Sequence, residues 1–145
     1  MYEAYREYFG FMEQLGTLLE QMTALAKEKT AAVRRDDLLA VDSCMKREQA
    51  LSLSMRTMDK KRETLLANMG LQDVSLSGLV QRYPEELQQE AREAVGKLRG
   101  QYELYRSAAD VARTTLECNL HQIEKMIADE ADAPLGSGTI ADIRA

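Results

Sequence analysis

Helix breakers are nearly absent from two long stretches of this chain. Neither glycine nor proline occurs between Gly16 and Gly70, and only Gly96 and Gly100 interrupt the run from Pro84 to Ala133. Both stretches are rich in Leu, Met, Ala, Glu, Gln, Arg and Lys, which favour helix at nearly every position. A small protein built from a few very long helices has little room for an enclosed catalytic cavity, but it offers long grooves to another helix. Long apolar runs are missing too: no stretch approaches the ~18 residues of a membrane span. The segment from Met1 to Glu7 lacks the positive start and unbroken apolar stretch of a secretory signal. Cysteine is sparse, with only Cys44 and Cys118, far apart in sequence and giving no disulfide framework. Both fall on or near apolar helix faces, which predicts buried thiols in a reducing cytosol. A cytoplasmic location is expected.

What is present suits one folded domain. The chain has 145 residues, of which 45% are hydrophobic and 30% charged, a balance that fits an amphipathic bundle and not a disordered chain. The net charge of -5 argues against nucleic acid, because phosphate binding needs a cationic face. The most basic run, Lys60-Lys61-Arg62, is too short to overturn that and reads as a solvated helix face.

The apolar spacing divides the chain. Tyr5, Tyr8, Met12, Leu15, Leu19, Met22 and Ala26 recur at three- and four-residue steps, a heptad seam that Phe11, Leu18 and Leu25 widen to a multi-helix core face. The phase is lost at Val33-Arg34-Arg35-Asp36-Asp37, where Arg suits a helix end and Asp the next N-cap. A second helix carries Val41, Cys44, Met45, Leu51, Met55, Met58, Leu65 and Met69, with Glu48 and Arg62 at the edges of its stripe or paired across it. Gly70 is placed to cap its end. Ser75 can start a short helical piece with Leu76, Leu79 and Val80. Pro84 then opens a third long helix, with Glu85 and Glu86 in its first turn. Here Leu98, Tyr102, Tyr105, Ala109, Ala112, Leu116, Leu120, Ile123 and Ile127 keep near-heptad spacing. The spacing predicts an all-α fold: an elongated antiparallel bundle of three long helices with a short linking helix and coiled-coil-like packing. Residues 1–133 form the bundle, and 134–145 a flexible tail. If the third helix runs to Asp132 it is roughly 70 Å long and overhangs its ~50 Å partners.

Chemistry is hard to place. His121 is the only histidine, three residues after Cys118, whereas a metal site needs three or four ligands. A di-iron bundle requires Glu-x-x-His pairs on two helices; Glu117 and His121 have the wrong spacing and no second copy. A cysteine–histidine nucleophile on an open helix face lacks an oxyanion hole. Gly136-Ser137-Gly138 neither follows a strand nor opens a helix, so it reads as a linker. No catalytic, cofactor-binding or metal-binding residue is assigned.

Taken in order, several passages resemble the FlgN-type flagellar export chaperones over roughly Leu15 to Ile127. They are the Asp36-Asp37-Leu38 start, the Lys-Arg-Glu-x-Leu-Leu-x-x-Met-Gly-Leu passage from Lys61 to Leu71 and the Ser-Leu-Ser-x-Leu piece from Ser75 to Leu79. The Pro-Glu-Glu at Pro84 and the terminal leucine/isoleucine helix complete the likeness. The resemblance implies a bacterial cytoplasmic chaperone of flagellar type III secretion, without enzymatic activity or cofactor. Its partners would be the C-terminal helices of hook–filament junction proteins and the cytoplasmic domain of the export gate. Binding in such proteins is assigned to the C-terminal helical part. They often carry asparagines three apart where this chain has Ala109 and Ala112.

The residues themselves support a compatible mechanism. Ala109, Ala112, Leu116, Leu120, Ile123 and Ile127 are the expected partner-binding set, the last four on the overhang, since exposed aliphatic stripes mark partner sites. Ile140 and Ile143, beyond the Gly-Ser-Gly tether, have the form of a gate-docking motif. The rival reading is a homodimeric coiled-coil scaffold that pairs its overhangs with each other. An all-helical isomerase with Arg62 facing an anionic substrate is the remote one.

Overall fold

A computed structural model describes residues 2–119, 142 and 143. Helix α1 spans Glu3–Arg34, α2 Leu38–Asn68, α3 Leu76–Arg82 and α4 Gln88–Cys118. A 3-10 turn, Glu85–Leu87, leads into α4, and no strand occurs among the described residues. Among the described residues the fold is all-α, with three long helices and one short one.

The breaks fall where local chemistry puts them. At the end of α1, Asp36 adopts a left-handed φ of 55°. Its N–H donates to the Val33 carbonyl at 3.0 Å, and the Asp37 N–H donates to Ala32 at 3.0 Å. This Schellman pattern normally takes glycine; aspartate is one of the few other residues that tolerates it. The Asp37 carboxylate then accepts from the Ala40 N–H at 3.1 Å and starts α2. The same pattern ends α2. Gly70 has φ 71°, its N–H donates to Ala67 at 3.0 Å, and that of Leu71 donates to Leu66 at 2.9 Å. Pro84 does not sit inside α4 as expected but precedes the 3-10 turn, with Tyr83 extended before it, as a residue before proline prefers.

Helix α1 is the centre of the bundle. It packs against both α2 and α4, while the backbones of α2 and α4 do not approach each other. This explains the wide apolar face of α1, on which Phe11, Leu15, Leu18, Leu19 and Met22 are all buried. Its partners need a narrower stripe: on α4 only every third or fourth residue, from Ala91 through Val95 and Leu98 to Tyr102, goes inside. Tyr8 and Tyr102 are core residues, and so are Met45 and Met55. Ion pairs join the rims of α1 and α2: Arg47 makes a two-pronged bond to Glu28 at 2.8 and 2.9 Å, and Lys29 meets Glu48 at 2.8 Å. Gly96 and Gly100 face open space, so they are not points of close helix approach.

Candidate partner-binding surface

Two kinds of residue decide what the C-terminal half of α4 can do. The first kind seats it. Ala26 of α1 meets Ala108 and Ala112 of α4, small side chains that let the two helices approach closely. One turn further, Leu116 packs beneath the α1–α2 turn with Ala32, Val33, Val41 and Met45. The Asn119 amide donates to the Val33 carbonyl at 3.3 Å and fastens the helix end there.

Leu116 was expected on an overhang, and the structure corrects this: it is 6% exposed. Helix α4 starts at the same end of the bundle as α1, as the Tyr2–Glu86 hydrogen bond shows, and its 31 residues match the 32 of α1. The described length of α4 therefore runs alongside α1 as far as the α1–α2 turn. Ala112 is also buried, Ala109 half-buried, and Leu120, Ile123, Ile127 and Ile140 lie outside the described residues.

The second kind of residue faces out. Leu104 is 65% exposed and Val111 47%, and Cys118 is exposed at the next seven-residue step. These three share one face of α4, a stripe of its own beside the core stripe. Cys118 was expected to be buried like Cys44; its position on this outer face is the reason it is not. The exposed stripe was legible as a repeat of Leu104, Val111 and Cys118, but the neighbouring core heptad is stronger and hides it. Leu104 also borders a shallow groove of ≈ 250 Å³ between α1 and α4, lined with Glu20, Thr23, Ala24, Lys27 and Gln101. Gln101 donates to Glu20 at 2.6 Å and closes one wall. An apolar floor with a charged rim accepts an amphipathic helix better than a small polar substrate.

The expected tail residue Ile143 is placed differently from its expected role. It is 4% exposed and belongs to the main core, and Asp142 beside it accepts from the Leu76 N–H at 2.8 Å. Ser75 stands at the cap position of α3 but makes no capping bond itself. Asp142 also lies 3.7 Å from Arg62, the residue on which the isomerase reading rested. Burial pushes the Asp142 carboxyl above its ordinary value, while the Leu76 N–H, Arg62 and Arg99 pull it down.

Among the described residues no cluster of metal-binding side chains occurs, and no helix is long and apolar enough to cross a membrane. Neither curated proteins nor solved structures provide a match. A family model described as FlgN protein matches residues 1–128, nearly the whole chain. That match, with a bundle of three long helices, shows that the chain belongs to the FlgN family, flagellar export chaperones and not enzymes.

Proposed function

We propose that the protein is a cytoplasmic chaperone of flagellar type III secretion. It holds the C-terminal helices of hook–filament junction proteins, keeps them from associating early and delivers them to the cytoplasmic domain of the export gate. The observation that carries the reading is the exposed Leu104 and Val111 stripe on a helix whose other face is already seated. A cargo helix laid along this stripe removes two large aliphatic side chains from water, each contributing about 1.5–3 kcal/mol before ordering costs. Ala109 is half-buried on the core side of α4, away from the Leu104–Val111 stripe, and in this proposal it helps to seat the helix. Leu120, Ile123 and Ile127 continue the spacing of Leu116 and not that of Val111, and in this proposal they form a second apolar strip for the cargo, while Ala112 and Leu116 hold α4 in place. In the same proposal Ile140 and Ile143 serve the gate, and Ile143 must first leave its seat in the core.

Co-purification with C-terminal helical fragments of candidate junction proteins tests this. The wild-type chain is expected to form a defined complex that Leu104→Lys with Val111→Lys abolishes, with the circular dichroism unchanged. A concentration-dependent homodimer that binds no fragment overturns the reading in favour of a self-pairing scaffold.

A further inference from the structure

Because α2 and α4 both lean on α1 without approaching each other, a seam runs between them. Near α3 this seam is filled by residues from the far end of the chain. Ile143 enters the core cluster that holds Tyr8, Leu66, Leu76 and Leu98. Asp142 accepts from the Leu76 N–H and faces Arg62 of α2, with Arg99 of α4 close enough to act on its carboxyl.

The fit is incomplete. A charge-assisted hydrogen bond runs at about 2.7–2.9 Å, whereas Asp142 and Arg62 stand 3.7 Å apart. The Nε atoms of both Arg62 and Arg99 are buried with no hydrogen-bond partner. A buried donor without an acceptor is a standing cost that a better-placed carboxylate would relieve. The seam therefore holds an aliphatic socket beside two guanidinium groups with donor capacity that Asp142 does not use.

We propose that this seam is a docking site for a short acidic–aliphatic peptide segment, a carboxylate next to an aliphatic side chain, and that Asp142–Ile143 is its resident, displaceable occupant. The site is separate from the Leu104–Val111 stripe, and the inference does not rest on the cargo reading. A partner segment of this chemistry competes with the chain's own end, so the site is open to it only when that end is out.

The probe is the acetylated peptide Gly-Thr-Ile-Ala-Asp-Ile-Arg-Ala, which repeats residues 138–145, titrated into isotope-labelled full-length protein and followed by NMR. In a chain carrying Asp142→Ala and Ile143→Ala, the Leu76 amide and the Arg62 and Arg99 Nε–H signals are expected to shift. The apparent affinity should be at least about tenfold tighter than for the wild type, as for a site otherwise open a tenth of the time. A peptide with lysine in place of aspartate is expected to give no shift at these groups. No shift in the double variant, or equal affinity in both chains, overturns the proposal. So does a concentration-dependent dimer of the peptide-free wild type, which would place the tail in a second copy. If the double variant loses helix, Asp142→Ala alone carries the same expectations.

Discussion

At the end of the bundle where α1 begins, Tyr2, Tyr5, Phe9 and Tyr83 crowd together, while toward the end where α1 turns into α2 the α1–α4 contact is made by three alanines and, one turn further, by Leu116. Tyr83 is the hub of the first end. Its ring lies 4.9 Å from that of Tyr5 and 5.0 Å from that of Phe9, and its hydroxyl donates to the Tyr5 carbonyl at 3.2 Å. Edge-on and tilted aromatic pairs bury large areas and fix geometry. Alanines bring backbones together but bury little. The stability of the fold is therefore concentrated at the aromatic end. The exposed α4 stripe extends toward the alanine end, where a partner can add contacts without displacing large ones.

Alkali is the strongest way to break this contrast. An unfolded tyrosine gives up its proton near 10, but burial pushes Tyr8 and Tyr83 well above that, and Tyr105 to about 12. Above pH 10 the folded protein keeps protons that the unfolded chain has lost. Stability is thus fully present below pH 10 and falls as the pH rises. Each such tyrosine removes about 1.4 kcal/mol per pH unit, so the three together remove roughly 4 kcal/mol at pH 11. Urea midpoints between pH 8 and 11 measure this; a flat profile would show that these hydroxyls are solvated.

A substitution at each end sharpens the comparison. Phe11→Ala empties a fully buried site next to Tyr8 and is expected to cost about 3–5 kcal/mol in urea unfolding. Leu116→Ala, at the other end, should cost only about 2 kcal/mol, because a thin layer can close over the gap. Equal losses would mean that both ends are packed alike. Ala112→Leu tests the alanine contact from the opposite direction. It forces α1 and α4 apart at Ala26 and is expected to cost about 1–3 kcal/mol through overpacking, read from the thermal midpoint.

How much of this could be read from the sequence depends on the range of the interaction. The Asp36–Asp37 break and the Gly70 cap are set within a few residues, and each lies where the local chemistry put it. The core face of α1 was legible from Phe11, Leu15 and Leu19, because helical period alone decides it. Axial register is different. Whether Leu116 overhangs or lies under a turn depends on which end of α1 the start of α4 joins, and no periodicity encodes that. The Arg62–Asp142 contact joins residues 80 apart in number. Arg62 read alone looked like a stripe edge or an anion site, and Asp142 like part of a free tail. The cap that Ser75 leaves unmade is the one local sign that α3 needed help from elsewhere.

The smallest expected effect is the most specific. Leu104→Lys with Val111→Lys changes two large exposed side chains that touch little in the free protein. Lysine is a good helix former, better than valine, so the propensity change offsets the small loss of contact at the groove rim. Exposed substitutions of this kind usually stay within about 0.5 kcal/mol, so the urea midpoint should barely move while the cargo complex is lost. The two readouts must separate for the comparison to stand. A loss of stability above about 2 kcal/mol would be of core size. It would mean that the stripe is packed in solution, against this chain or a second copy, and the partner surface would then have to be sought on another face of α4.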